Sequence, residues 1–305
     1  MQSPPLKSWL LLTALGLVWG ASFMSVTLAL EGFGPITVAA LRISIGALAL
    51  LAIARLMGVG LPSTSTPTGR RTWGFAMGMA LFSNAFPFML LSWAQQSVPS
   101  GFAGVTMAGV PLLVLPLAHV FVPGERLTLR RLLGFVVGFA GVVVLIGPEN
   151  ILAGGDGPFV ARLACIAAAA CYAIGSIITR RAPPGPLMGF SAAALLLATM
   201  LMLPMALLIE GVPDAPGVAS IGAVAYLGIL PTAIATIVLV HLIQTAGPSF
   251  LSLVNYQVPV WAVILGAVVL AEPVPPQTAM ALGLILAGLF IARARRRKPP
   301  LPSGA

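Results

Sequence analysis

A chain of 305 residues that is 59% hydrophobic and only 8% charged carries about a third of the charge usual in a soluble protein. Its mean hydropathy of +1.05, with apolar runs longer than 17 residues, excludes a water-soluble domain and a closed β-barrel, whose strands are short and alternating. The net charge of +9 sits in short links and at the tail, without a basic face or interleaved aromatic residues, which excludes a nucleic-acid surface.

Ten helices are predicted, over 9–29, 34–57, 72–92, 98–121, 130–147, 159–179, 186–209, 217–239, 248–270 and 276–292. The first is longer than the apolar region of a signal peptide and has no convincing cleavage site, so it reads as a span. It carries Trp19 at mid-span, whereas Trp9, Trp73 and Trp93 fall at span ends, where interfacial anchoring accounts for them. Helix 2 holds Arg42, the one basic residue well inside an apolar run, about 12 Å from the helix start at about 1.5 Å per residue. An ionised group at that depth should face protein or water rather than lipid, which suggests a cavity wall that attracts a carboxylate. The alternative is a long side chain that reaches the boundary or a helix terminus. The stretch 58–71, rich in Pro, Ser, Thr and Gly, reads as a link in water. Asn84 is central in helix 3 and needs a partner, from a neighbouring helix or from a substrate. Gln95 and Gln96, just past that helix, fall near water.

Residues 99–147 form two apolar runs around the charged link GERLTLRR, with Pro111 part-way down the first run. The plan returns over 248–294. Glu125 and Glu272 are 147 positions apart, as are Gly141 and Gly288, while Pro111 and Pro259 are 148 apart. Between the copies, Cys165 and Cys171 share one apolar run without metal-ligand spacing and read as buried thiols. His119 and His241 lie near the ends of helices 4 and 8, lack the HExxH spacing, and suggest no metal site. Asn255, Tyr256 and Gln257 make the densest polar cluster in any helix, and three successive residues cannot share one face, so Asn255 or Tyr256 is the candidate. Trp261 follows at mid-span and is a second aromatic candidate for a cavity wall. Pro87, Pro111, Pro116, Pro204, Pro231 and Pro259 interrupt spans and free carbonyls that must face protein or a wet cavity; Pro111 and Pro259, being repeat-related, are the leading kinks. GxxxG pairs at Gly16 and Gly20, Gly74 and Gly78, and Gly134 and Gly138 permit close helix contact, within the bundle or in a homodimer.

With the N-terminus inside, 14 of the 16 basic residues fall on the inner side and six of the seven acidic residues, all but Glu125, on the outer. Five helices per half is an odd number, so the second half starts on the opposite side. The expected fold is therefore an all-α polytopic membrane protein with ten transmembrane helices in two inverted five-helix repeats. The expected layout is a cytoplasmic segment 1–8, a first repeat 9–147, a linker 148–158, a second repeat 159–292 and a basic cytoplasmic tail 293–305. Glu125 and Glu272 become matching boundary residues on opposite faces.

The WGASF segment (19–23), the Arg of AALRISIG (39–46), the Pro-to-Glu hairpin of helices 4 and 5 and its echo from Pro259 to Glu272 resemble the EamA-domain branch of the drug/metabolite transporter superfamily. The resemblance covers nearly the whole chain. It implies two EamA domains around a central cavity and export of amino acids or other small metabolites, without ATP. Glu125 and Arg126 match the GER link of that family, and Glu272 its second copy. There this chain departs, with Pro273 in place of the basic residue.

The leading function is a secondary transporter in the plasma or inner membrane, an exporter of amino acids or related compounds by alternating access of the repeats. Its partners are a small-molecule substrate and the lipid bilayer, with no cofactor and no metal. Organic cations, drugs and nucleobase-like metabolites are the alternative substrates. Proton exchange is one possible drive, but no Asp or Glu lies mid-membrane, which favours the substrate gradient. No GxxxxGKS loop and no catalytic cluster is present, which argues against an ATP motor and against an enzyme. A membrane scaffold without transport is the remaining alternative.

Overall fold

The computed structural model describes residues 5–125, 127–147 and 157–292. Residues 1–4, Arg126, Glu149, Asp156, most of the linker 148–158 and the tail 293–305 lie outside the described residues. Ten apolar segments run back and forth: α1 (Leu6–Leu30), α2 (Pro35–Leu56), α3 (Pro67–Ala94), α4 (Ser100–Phe121), α5 (Leu129–Ile146), α6 (Gly157–Arg181), α7 (Leu187–Ile209), α8 (Val218–Ala246), α9 (Val254–Val269, after a short turn Pro248–Leu251) and α10 (Pro276–Ala292). The first eight are long and apolar enough to cross a membrane, and α9 and α10 are shorter apolar helices. Together they form an all-α polytopic membrane protein of two inverted five-helix repeats. The face where α1 begins is called proximal below, the opposite face distal.

Two helices overrun their predicted limits by about five residues or more, for local reasons. α3 starts at Pro67, inside the stretch read as a link, because the Thr66 hydroxyl accepts the Gly69 N–H and Pro67 needs no donor in a first turn. α8 continues to Ala246, since Thr245 turns its hydroxyl back onto His241 O. It stops at Gly247, whose φ of 85° suits glycine and not a side chain.

Small residues let these helices approach. Ala39 and Ala40 on α2 and Ala192, Ala193 and Ala194 on α7 are wholly buried in one shared core. In hydrocarbon, such van der Waals contact takes the place of a hydrophobic driving force between helices. The closest crossing joins α5 to α10: a Cβ at Gly134 would meet Gly288 O at 2.5 Å, and one at Gly288 would meet Gly138 N at 2.5 Å. The glycine face of α5 is therefore filled within the chain rather than left for a second copy. Gly16 and Gly20 similarly admit Gln257 and Trp261 of α9, while a Cβ at Gly74 would meet nothing within 4 Å beyond its own helix backbone.

The repeats also share their irregularities. α3 and α8 each contain one π-helical turn, at Ala80–Ala85 and Ile229–Ile234, 149 positions apart. α4 breaks at Ala108–Gly109, just before Pro111, and the break before α9 falls at Ser252–Leu253. Pro259, by contrast, lies inside the continuous α9 helix, so no break coincides with it.

Candidate functional site

The π turns and the α4 break surround a mid-depth cavity of about 360 Å³, with a mostly apolar wall drawn from every helix except α5 and α10. Trp19, Arg42, Asn84, Asn255 and Pro259 line it. Three other sequence candidates do not. Trp261 is held against Gly20 at the α1–α9 contact, Tyr256 packs beside the α3–α4–α6 core, and Pro111 stands one residue past the lining Val110.

Pro231 organises the polar part of the wall. It has no N–H for the carbonyl four residues back, Leu227 O, and the Thr232 hydroxyl donates to that oxygen at 2.8 Å. With its proton so engaged, the same hydroxyl can only accept, and Arg42 Nε donates to it at 3.3 Å. The first repeat has a parallel bond without a proline: Asn84 Nδ2 donates to Met79 O at 3.2 Å, again five residues back, with Ser83 in the place of Pro231, and Asn84 and Thr232 are 148 positions apart. In each repeat a π turn is closed by a side chain of the cavity wall. Trp19 joins the two halves of the wall by donating Nε1–H to Pro231 O at 3.0 Å.

Arg42 is 9% exposed and its guanidinium lies 3.8 Å from the Phe88 ring centre, a cation–π stack. Among the described residues no carboxylate forms an ion pair with it, and its two terminal nitrogens have no protein hydrogen bond. The cavity thus holds one positive charge with free donors and aromatic walls. Tyr172, one of the aromatic residues the sequence offers for a binding site, lines the wall, whereas Thr232 and Phe88 are wall residues that sequence reasoning missed. The one available signal was the 148-position offset of Thr232 from Asn84. Gln95, read as a residue near water, is instead 6% exposed, because α1 and α6 cover the end of α3. No cluster of three His, Cys, Asp or Glu occurs among the described residues.

At the distal face Glu272 takes Ser100 N at 2.8 Å, Ser100 Oγ at 2.9 Å and Gly101 N at 3.1 Å, which caps the start of α4 from the other repeat. Glu210 does the same for α2, accepting Ile36 N at 2.9 Å, Thr37 N at 2.8 Å and Thr37 Oγ1 at 2.7 Å. Glu125 instead pairs with Arg131 at 2.8 Å and Arg180 at 3.7 Å. Glu125 and Glu272 therefore share a sequence offset but not a structural role, and Glu272 acts alongside Glu210.

The EamA-like transporter family matches residues 6–147 and, a second time, residues 159–294. The chain belongs to that family. An uncharacterized transporter of Archaeoglobus fulgidus is 26% identical over 95% of this EamA chain and 100% of its own length. A probable terminal-alkyne amino-acid exporter of Streptantibioticus cattleyicolor is 27% identical over 93% and 94%. An aromatic amino acid exporter of Ancylobacter novellus is 29% identical over 87% and 89%. One solved crystal structure superposes with a TM-score of 0.67 at 26% identity, covering 94% of this chain and 97% of its own. As an EamA protein, the chain is a membrane transporter and not an enzyme, of a family whose members generally carry small metabolites.

Proposed function

We propose that this EamA protein is a secondary exporter of amino acids or closely related carboxylates, working by alternating access of its two repeats. The observation that carries the reading is Arg42: a buried cation with no counter-ion among the described residues, on the wall of a mostly apolar mid-membrane cavity. A zwitterion's carboxylate neutralises that charge, and the rings of Trp19 and Phe88 take its side chain. An organic cation would meet the like charge of Arg42, which disfavours that alternative. The exporters of amino acids among the relatives point the same way.

Alternating access draws support from the repeat symmetry and its local violation. Related π turns in α3 and α8 supply two equivalent hinges, while the distal face is latched by Glu210 and Glu272 and the proximal Glu125 is engaged elsewhere. No Asp or Glu is among the described residues that line the cavity, which favours drive by the substrate gradient over a carboxylate proton relay. The excess of Lys and Arg in the proximal links and in the tail sequence supports a cytoplasmic proximal face and cytoplasmic termini.

The test is flux of labelled L-phenylalanine and L-methionine in proteoliposomes. Arg42→Ala removes charge-assisted bonds to the carboxylate worth about 1.5–3 kcal/mol, so flux falls roughly ten- to a hundredfold. Flux unchanged in Arg42→Ala, or no amino acid moved by the native protein, overturns the reading.

A further inference from the structure

Beside the main cavity, towards the distal face, lies an annex of about 40 Å³ between α1, α2, α3 and α6. The two spaces share Ser22, Phe23, Arg42, Phe88 and Tyr172 as walls, so they adjoin at the Arg42 side chain. Gln95 borders only the annex. Its Oε1 accepts the Thr27 hydroxyl at 3.3 Å, which leaves its NH₂ as the free edge. Among the described residues Gln95 Nε2 is the single buried side-chain nitrogen or oxygen with no hydrogen-bond partner. Buried polar groups are paired almost everywhere in native proteins, so an orphan beside an open space points to a ligand atom.

The chemistry of that atom follows from its surroundings. Gln95 Nε2 and the terminal nitrogens of Arg42 are donors without acceptors, and the Ser22 hydroxyl already donates to Trp19 O at 2.6 Å. The Ser22 and Tyr172 hydroxyl oxygens can accept, but neither accepts from Gln95 Nε2 or the Arg42 terminal nitrogens, and no anion stands among the described walls of the annex. Its volume suits about one water or one small group, since a water needs at least roughly 10–15 Å³ of such space. The annex is too small for a substrate, and large enough for the oxygen end of one.

We infer that the annex is the carboxylate subsite of the transporter: Arg42 binds the carboxylate, Gln95 Nε2–H donates to one of its oxygens, and the rest of the substrate occupies the main cavity. Gln95 is thereby a specificity-determining residue, selecting free acids over amides and esters. The inference rests on the amino-acid transport reading and adds the group by which substrates are chosen. A carboxylate offers two charged acceptor oxygens to these donors; an amide keeps one neutral carbonyl acceptor and sets its NH₂ against the second donor, which leaves that donor unpaired.

The experiment compares L-phenylalanine and L-methionine with their amides, using the purified full chain in proteoliposomes and in thermal unfolding. The native protein moves the acids on the order of tenfold or more faster than the amides, and only the acids raise its melting temperature. Gln95→Leu cuts the acid-to-amide ratio to about threefold or less, while Gln95→Glu, which sets a carboxylate beside Arg42, lowers acid flux at least about tenfold. If native protein moves acids and amides alike, or a folded Gln95→Leu keeps the native ratio, the subsite is overturned and the transport reading stands. If native protein moves none of the four compounds, both fall. Should either variant fail to fold, the other variant and the native comparison decide.

Discussion

Thr232 offers the sharpest test of how the cavity wall is built. Thr232→Val keeps the shape of the side chain and removes a hydroxyl that makes two bonds, to Leu227 O at 2.8 Å and from Arg42 Nε at 3.3 Å. Hydrogen bonds between membrane helices average about 0.6 kcal/mol with a maximum near 1.7, so losing two costs about 1–3 kcal/mol. The cost has a conditional part. Leu227 O depends on the hydroxyl only because Pro231 lacks an N–H. Pro231→Ala restores that donor, so Thr232→Val in the Pro231→Ala background costs about 1 kcal/mol less than in the native chain. Thr232→Ser, which keeps the oxygen, costs less than either. The assay is a double-mutant cycle on equilibrium unfolding in detergent micelles, read by tryptophan fluorescence. A Thr232→Val cost that is identical in both backgrounds refutes the repair of the proline gap by the hydroxyl.

Two further outcomes follow from the same geometry. Glu272→Ala removes the carboxylate that accepts three hydrogen bonds at the start of α4, and should destabilise the protein by about 1–2 kcal/mol and raise labelling of Ser100→Cys by a membrane-impermeant maleimide; unchanged labelling sinks the distal latch. Gly288→Ala sets a methyl 2.5 Å from Gly138 N and should cost about 1–3 kcal/mol in the same unfolding assay, whereas Gly74→Ala, in open space, should be neutral or stabilising by up to about 1 kcal/mol. Equal effects of the two glycine changes would remove the argument for the α5–α10 crossing.

The helices, their number and their inversion were legible in the sequence because hydrocarbon imposes a one-dimensional rule: about 20 apolar residues per span. Arg42 stood out by the same rule, as the one cation deep in a span. The misreadings have a common cause. Tyr256 and Trp261 have the right residue types at the right depth, but the α1–α9 contact through Gly20 turns Trp261 towards helix packing. Gln95 was misread because position along a helix measures distance from a span end, not what neighbouring helices cover.

The sequence by itself determined which segments span, how the two halves are related, and that one buried charge would need an answer. Only the tertiary structure decided what surrounds that charge. It joined Arg42 to Thr232 across 190 positions, set Phe88 under the guanidinium, and left Gln95 Nε2 facing an unfilled space. The reason is physical. Hydropathy is a property of each segment alone, while a cavity exists only where the rotations of eight separate helices agree.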